Sequence, residues 1–144
     1  MDKKKIEKSV KEMLLAIGEN PQREGLKKTP ERVARMYEEI FSGMQKNPER
    51  ELEVYYTAEE HEEIVLVKDI SFYSTCEHHL LPFFGKVHIG YVPKKDKLLG
   101  ISKIARLVDV FSRRLQLQER ITKQLADIIM KKIYISIYLM LISA

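Results

Sequence analysis

A single cysteine, Cys76, stands among 144 residues, so no disulfide can form within the chain. A disulfide-stapled fold is excluded, and the core must come from apolar packing. The chain has no apolar run long enough to span a bilayer. Its most apolar stretch, Ile133–Ile142, is half the roughly 20 residues a spanning helix needs. The basic start Met1-Asp2-Lys3-Lys4-Lys5 lacks the apolar segment of a secretory signal, so the expected location is the cytoplasm. Repeats and low-complexity segments are absent. Charge of one sign is not abundant either: 25 Lys and Arg against 21 Asp and Glu leave +4, which suits an anionic ligand without requiring nucleic acid. With 44% hydrophobic residues the chain is too apolar for disorder, and its length fits one domain.

What is present alternates between two periodicities. Ile6, Val10, Met13, Leu14 and Ile17 recur at helical spacing and stop near Gly18. Residues 20–28 read as a loop. Thr29 then reads as an N-cap with Pro30 at the first helical position, and Val33, Met36, Tyr37, Ile40 and Phe41 form a stripe that ends by Gly43. Residues 63–69 and 83–92 read as antiparallel strands, with Val87, Ile89 and Tyr91 on one face and Lys86 and His88 on the other. Residues 71–82 read as the loop between them, and 93–96 as a turn. Ser102 is placed to cap a helix carrying Ile104, Leu107, Val108, Phe111 and Leu115. A further helix carries Ile121, Leu125, Ile128 and Ile129, and the β character of 133–142 suits a third strand. The pattern is α+β. Its expected division is an N-terminal helical region, 1–60, and a sheet-bearing region, 61–144.

Three segments carry chemistry. Cys76-Glu77-His78-His79 places a thiol and an imidazole three positions apart, a spacing from which a tight turn aims both at one point. Thiolate and imidazole are zinc-type ligands, and His78 is left free for proton transfer near neutral pH. Spacing alone leaves this reading level with a loop holding solvated histidines and a buried thiol. Gly100-Ile101-Ser102-Lys103-Ile104-Ala105-Arg106 opens a helix with two cations in its first turn, an anion-type site or simply a capped, solvated helix end. Arg113, Arg114, Arg120 and Lys123 form a basic stretch without interleaved aromatics, which argues against nucleic acid. Gln118 and Glu119 sit at its junction; Glu119 suits either an acid in the N-terminal turn of the following helix or a reader of an amide- or guanidine-type edge of a base, since a carboxylate accepts two parallel N–H bonds.

Four segments together resemble the GTP cyclohydrolase I family: Thr29-Pro30-Glu31-Arg32-Val33-Ala34-Arg35-Met36-Tyr37; Ser74 through Phe83 around the Cys-Glu-His-His run; Gly100 through Arg106; and Gln116-Leu117-Gln118-Glu119-Arg120-Ile121-Thr122. The resemblance covers roughly residues 5–130. It implies the tunnelling fold, with an N-terminal helical hairpin and then an antiparallel sheet backed by two helices. It implies a homodecamer of two pentamers with sites between subunits. It implies Zn2+ on Cys76 and His79, His78 as the catalytic proton carrier, Ser102, Lys103 and Arg106 on the triphosphate, and Gln118 and Glu119 on the guanine edge. The implied reaction is GTP plus water giving 7,8-dihydroneopterin triphosphate and formate, the first step toward tetrahydrofolate and other pterins. The family pattern continues with a His-x-Cys-x-x-x-Arg segment that supplies a third zinc ligand; the residues after Met130 do not contain it. The expectation is therefore incomplete C-terminal strands and an impaired enzyme. Its rivals are an inactive subunit that co-assembles with a complete homologue, a tunnelling-fold relative acting on another pterin or deazapurine, and a basic nucleic-acid binder.

Overall fold

A computed structural model describes residues 1–52, 55–57, 63–93, 97–133 and 137–143. They cluster into two compact units, Met1–Ser42 and Gly43–Ala144.

The first unit is a helical hairpin. Helix α1 (Lys3–Ala16) starts where the Asp2 carboxylate accepts the Lys5 backbone N–H at 3.0 Å, a side-chain N-cap. It stops at Gly18, which adopts φ +87°. There the Gly18 N–H reaches the Leu15 carbonyl (3.0 Å) and the Glu19 N–H the Leu14 carbonyl (2.9 Å), the paired bonds of a Schellman end. Val10 and Leu14 are buried as expected. Met13 and Ile17 are not: they stand 55% and 68% exposed, Ile17 because it already lies past the last helical residue. Helix α2 (Thr29–Ile40) is capped by Lys28 without a side-chain bond, so Thr29 is its first residue rather than its cap. Its most buried position is Ala34, while Met36, expected inside, is exposed. A Lys3–Glu38 ion pair at 2.6 Å ties the start of α1 to the end of α2.

Two short 3-10 turns follow, Ser42–Gln45, which begins on the last residue of the first unit, and Pro48–Leu52. Gly43 does not stop a helix, which has already ended at Ile40. Its role is close approach: a Cβ there would sit 2.1 Å from the Val110 carbonyl oxygen, and its own N–H donates to the Arg113 carbonyl at 3.1 Å.

Strands β1 (Tyr55–Thr57) and β4 (Lys97–Leu99) form a separate antiparallel pair. The main sheet is built on β2 (Val65–Cys76) and β3 (Pro82–Tyr91), antiparallel, with Val67 opposite Ile89 and Thr75 opposite Pro82. β2 is much longer than the expected strand at 63–69, and the residues after Ser71 that read as loop continue it to Cys76. A bulge between Val67 and Ile70, with Asp69 at φ +61°, explains the difference. One extra residue switches the inward phase: Val67 faces the core before it, Phe72 and Ser74 after it. Alternation read across that point fails.

Helix α3 (Ile101–Ser112) follows β4, and β5 (Leu115–Gln116) lies parallel to the end of β2, so the sheet is mixed rather than wholly antiparallel. Leu115, expected on the helix, belongs to this strand and is exposed. Helix α4 (Gln118–Ile133) precedes β6 (Ile137–Ser143), which pairs antiparallel with β3 in the order β5-β2-β3-β6. The third strand expected from 133–142 is thus present, shifted because Ile133 closes α4. The expected turn at 93–96 falls mostly on residues outside those described.

The core joins sheet to helices: Phe72, Val87, Ile89 and Tyr91 meet Ile104, Leu107, Val108 and Phe111 of α3 and Ile121, Leu125 and Ile129 of α4. Each such side chain contributes about 1.5–3 kcal/mol by leaving water. The Tyr91 hydroxyl is satisfied inside this core, accepting from the Leu99 N–H (3.1 Å) and donating to its carbonyl (3.3 Å). The architecture is α+β, as the sequence pattern indicates.

Gly43→Ala is expected to destabilise the chain by about 1–3 kcal/mol, because a backbone carbonyl must move to admit the methyl group. Urea unfolding followed by circular dichroism measures it; an unchanged midpoint contradicts the close-approach role.

Candidate functional site

The Cys-Glu-His-His run is the turn joining the two long strands. Cys76 closes β2, and its N–H donates to the Leu81 carbonyl (2.8 Å) while its carbonyl accepts the Leu80 N–H (2.9 Å). The chain reverses within these bonds, with Leu80 in the left-handed region at φ +57°. The reversal brings Cys76 Sγ and His79 Nδ1 to 4.0 Å. Zinc–sulfur and zinc–nitrogen bonds of about 2.3 and 2.0–2.1 Å together exceed that span, so a single ion fits between the two donors. Among the described residues no group of three His, Cys, Asp or Glu converges on a point, so this pair is the metal-type set they offer. His78 and His79 are both exposed, their rings edge to face at 6.1 Å.

The turn is fastened to the start of α4 through Glu77. Its N–H donates to the Gln116 carbonyl at 3.1 Å. Its carboxylate takes both terminal nitrogens of Arg120, one at 2.8 Å. The Arg120 guanidinium holds the Glu77 carboxyl below the usual carboxylate range, against the opposing effect of partial burial. Gln118 and Glu119 lie between Gln116 and Arg120, on the first turn of α4, half-buried and exposed respectively. One chain therefore brings the thiolate–imidazole turn and the carboxamide–carboxylate turn together.

Ser102, Lys103 and Arg106 are not brought to this point. They occupy the first two turns of α3, whose last residue, Ser112, accepts from Ser74 Oγ at 2.7 Å near the Cys76 end of β2. Ten helical steps put Ser102 about 15 Å along the axis from Ser112. Ser102 is not the expected cap: Gly100 holds that place, and no side chain caps the helix. Ser102 and Arg106 are exposed and Lys103 half-buried.

The basic stretch dissolves into separate internal roles. Arg113 pairs with Asp109 (2.7 Å), Lys123 with Asp127 (2.7 Å) and Arg120 with Glu77. Arg114 packs over the Phe111 ring and donates to the carbonyls of Gly43 (3.0 Å), Val110 (3.2 Å) and Lys46 (2.9 Å). Each of the four cations thus has an acidic or carbonyl partner within the chain.

Two features escape sequence reasoning. The Glu77–Arg120 pair spans 43 positions, and nothing local signals it beyond the place of Glu77 inside the Cys-Glu-His-His run. Gln116 is the other. It is buried, with Nε2 donating to the Phe111 carbonyl (3.0 Å) and Gln124 Oε1 (2.9 Å), while its own Oε1 has no partner among the described residues.

An α+β unit that sets a thiol and an imidazole beside a carboxamide–carboxylate helix turn has the layout of an enzyme. The sequence model of GTP cyclohydrolase I matches residues 6–144, and the chain belongs to that family. It is 62% identical over 132 residues to the GTP cyclohydrolase 1 of Pelotomaculum thermopropionicum, covering 92% of this chain and 70% of that protein. The GTP cyclohydrolase 1 proteins of Carboxydothermus hydrogenoformans and Clostridioides difficile are each 62% identical over 133 residues, again 92% of this chain, with 69% and 70% of their own lengths covered. The four-helix, mixed-sheet layout among the described residues accords with the tunnelling fold of the family. No helix among the described residues is long and apolar enough to cross a membrane.

Replacing Arg114 by Met removes charged donors from three carbonyls and is expected to cost about 1.5–3 kcal/mol in urea unfolding. Lys123→Ala, on the exposed face, is expected to leave the midpoint unchanged. Equal midpoints for the two variants contradict a structural role for Arg114.

Proposed function

We propose that the chain carries the GTP cyclohydrolase I reaction: GTP and water give 7,8-dihydroneopterin triphosphate and formate, the entry to tetrahydrofolate and related pterins. The observation that carries this reading is the Cys76–His79 donor pair fastened beside Gln118-Glu119, in a chain 62% identical to proteins of that name.

Cys76 and His79 would hold zinc, which when bound supplies Lewis-acid activation of water for attack at C8 of guanine. Glu119 accepts two N–H bonds from the guanine edge, and Gln118 adds a carboxamide donor and acceptor beside it. That orients the purine against the donor turn. His78, exposed next to His79 and bonded among the described residues to the flanking Glu77 at 3.9 Å, takes and returns the protons of ring opening. Ser102, Lys103 and Arg106 bind the triphosphate. Their distance from the Cys76 end of the same chain supports sites built between subunits, in a homo-oligomer that follows the family decamer. We place the protein in the cytoplasm, where its free thiol stays reduced.

A second reading has one observation in its favour. The described residues present two protein donors rather than the three of a typical catalytic zinc site. The chain then acts as a subunit beside a homologue that completes the set. Purified alone, it distinguishes the readings by its zinc content and its formate release.

Expected results for the first reading are zinc-dependent formate release from GTP, lost in Cys76→Ser and His79→Ala. His78→Ala lowers kcat by about 10²–10⁴-fold. Lys103→Ala and Arg106→Ala raise KM for GTP. Stable assemblies without formate release under saturating zinc favour the second reading.

A further inference from the structure

Glu77 is neither a donor to the metal pair nor a reader of the base, yet it touches both sides of the site. It sits inside the Cys76–His79 turn. Its backbone N–H holds the Gln116 carbonyl, and its carboxylate holds Arg120 through both terminal nitrogens. Gln116 and Arg120 bracket Gln118 and Glu119. One residue of the donor turn is therefore bonded to both ends of the base-reading segment. A bidentate guanidinium–carboxylate pair fixes orientation as well as distance, which a lysine in place of Arg120 cannot do.

The alternative role for such a pair is bulk stability. Its position argues against that. Both side chains are partly open to water, at 28% and 40% exposure, where ion pairs contribute little to folding. The large apolar contacts of α4 run instead through Ile121, Leu125 and Ile129. Nor does the pair merely close the hairpin, since the Cys76–Leu81 and Leu80–Cys76 backbone bonds already do so.

We infer that Glu77 and Arg120 are a positioning pair, which sets the thiolate–imidazole turn in register with the Gln118-Glu119 turn so that one bound purine meets both. The inference rests on the reading of Cys76 and His79 as metal donors given above. It assigns Glu77 and Arg120 no contact with metal or nucleotide.

Cobalt binding tests it without relying on turnover. Co2+ is titrated into the full chain, and the thiolate-to-cobalt absorption band is followed with Cys76→Ser as the blank. Glu77→Gln keeps the shape and the backbone bond while removing the charge; Arg120→Met removes the other partner. Each is expected to weaken Co2+ binding about 10–100-fold, the usual cost of losing a group that orients a ligand. The double variant is expected to lose no more than the weaker single, because both act through one bond. Arg120→Lys is expected to recover only part of the affinity. Far-UV circular dichroism and the melting temperature are expected to stay near those of the parent chain, which separates positioning from folding. Parent-like cobalt affinity in both single variants overturns the inference while leaving the metal reading intact. A matching loss of melting temperature also overturns it, in favour of a structural role. A parent chain with no Cys76-dependent band overturns the metal reading and the inference with it.

Discussion

The long antiparallel pairing of β2 with β3 is the constraint on which the second unit depends. It carries the inward faces that meet α3 and α4, it gives β5 and β6 their edges, and its connecting turn holds Cys76 through His79. The bulge at Asp69 lets one twelve-residue strand serve two purposes. Before it, the strand supplies Val67 to the core; after it, the phase is reset so that Phe72 is buried and Ser74 Oγ reaches the end of α3. Without that reset the same residues would face outward, and Cys76 would arrive at the turn on the wrong side.

From this turn the site grows by attachment rather than by depth. The donor pair lies at the end of the sheet, Cys76 half-buried and His79 exposed, and Glu77 links it to the start of α4. Burial is concentrated beneath, in the sheet–helix core and in the Gln116 side chain. Chemistry-bearing residues sit on a rigid base and stay open to a ligand, which is how loops on scaffolds usually carry function. Ser102, Lys103 and Arg106 lie toward the other end of α3 from the Ser112 carbonyl that Ser74 Oγ reaches.

Much of this was legible in the sequence. Helical spacing identified the four α-helices among the described residues, and the alternation at Val87, Ile89 and Tyr91 identified β3, because each has a clean period. The errors arise where residue type does not decide the local backbone, as at the β2 bulge, or where short-range pattern carries no information on tertiary contact. Thr29 and Ser102 look like caps by residue type, yet Lys28 and Gly100 hold those places. Gly43 looks like a stop, yet it is a glycine because Val110 approaches it from another element. Arg114 and Arg120 look like one basic stripe, yet they serve backbone carbonyls and Glu77 respectively. The candidate site divides in the same way. The spacing of Cys76 and His79 is local and was readable; the Glu77–Arg120 link is distant in sequence and was not.

The central claim is that donor turn and base-reading turn serve one bound purine. Paramagnetic relaxation measures this directly: Co2+ is bound to the His78→Ala chain, which slows turnover, and the proton and phosphorus signals of GTP are followed. The account predicts that guanine H8 relaxes most strongly, well ahead of the phosphorus nuclei, and that Cys76→Ser removes the effect. Strongest relaxation at the phosphates, or an H8 effect that survives the loss of Cys76, would contradict it.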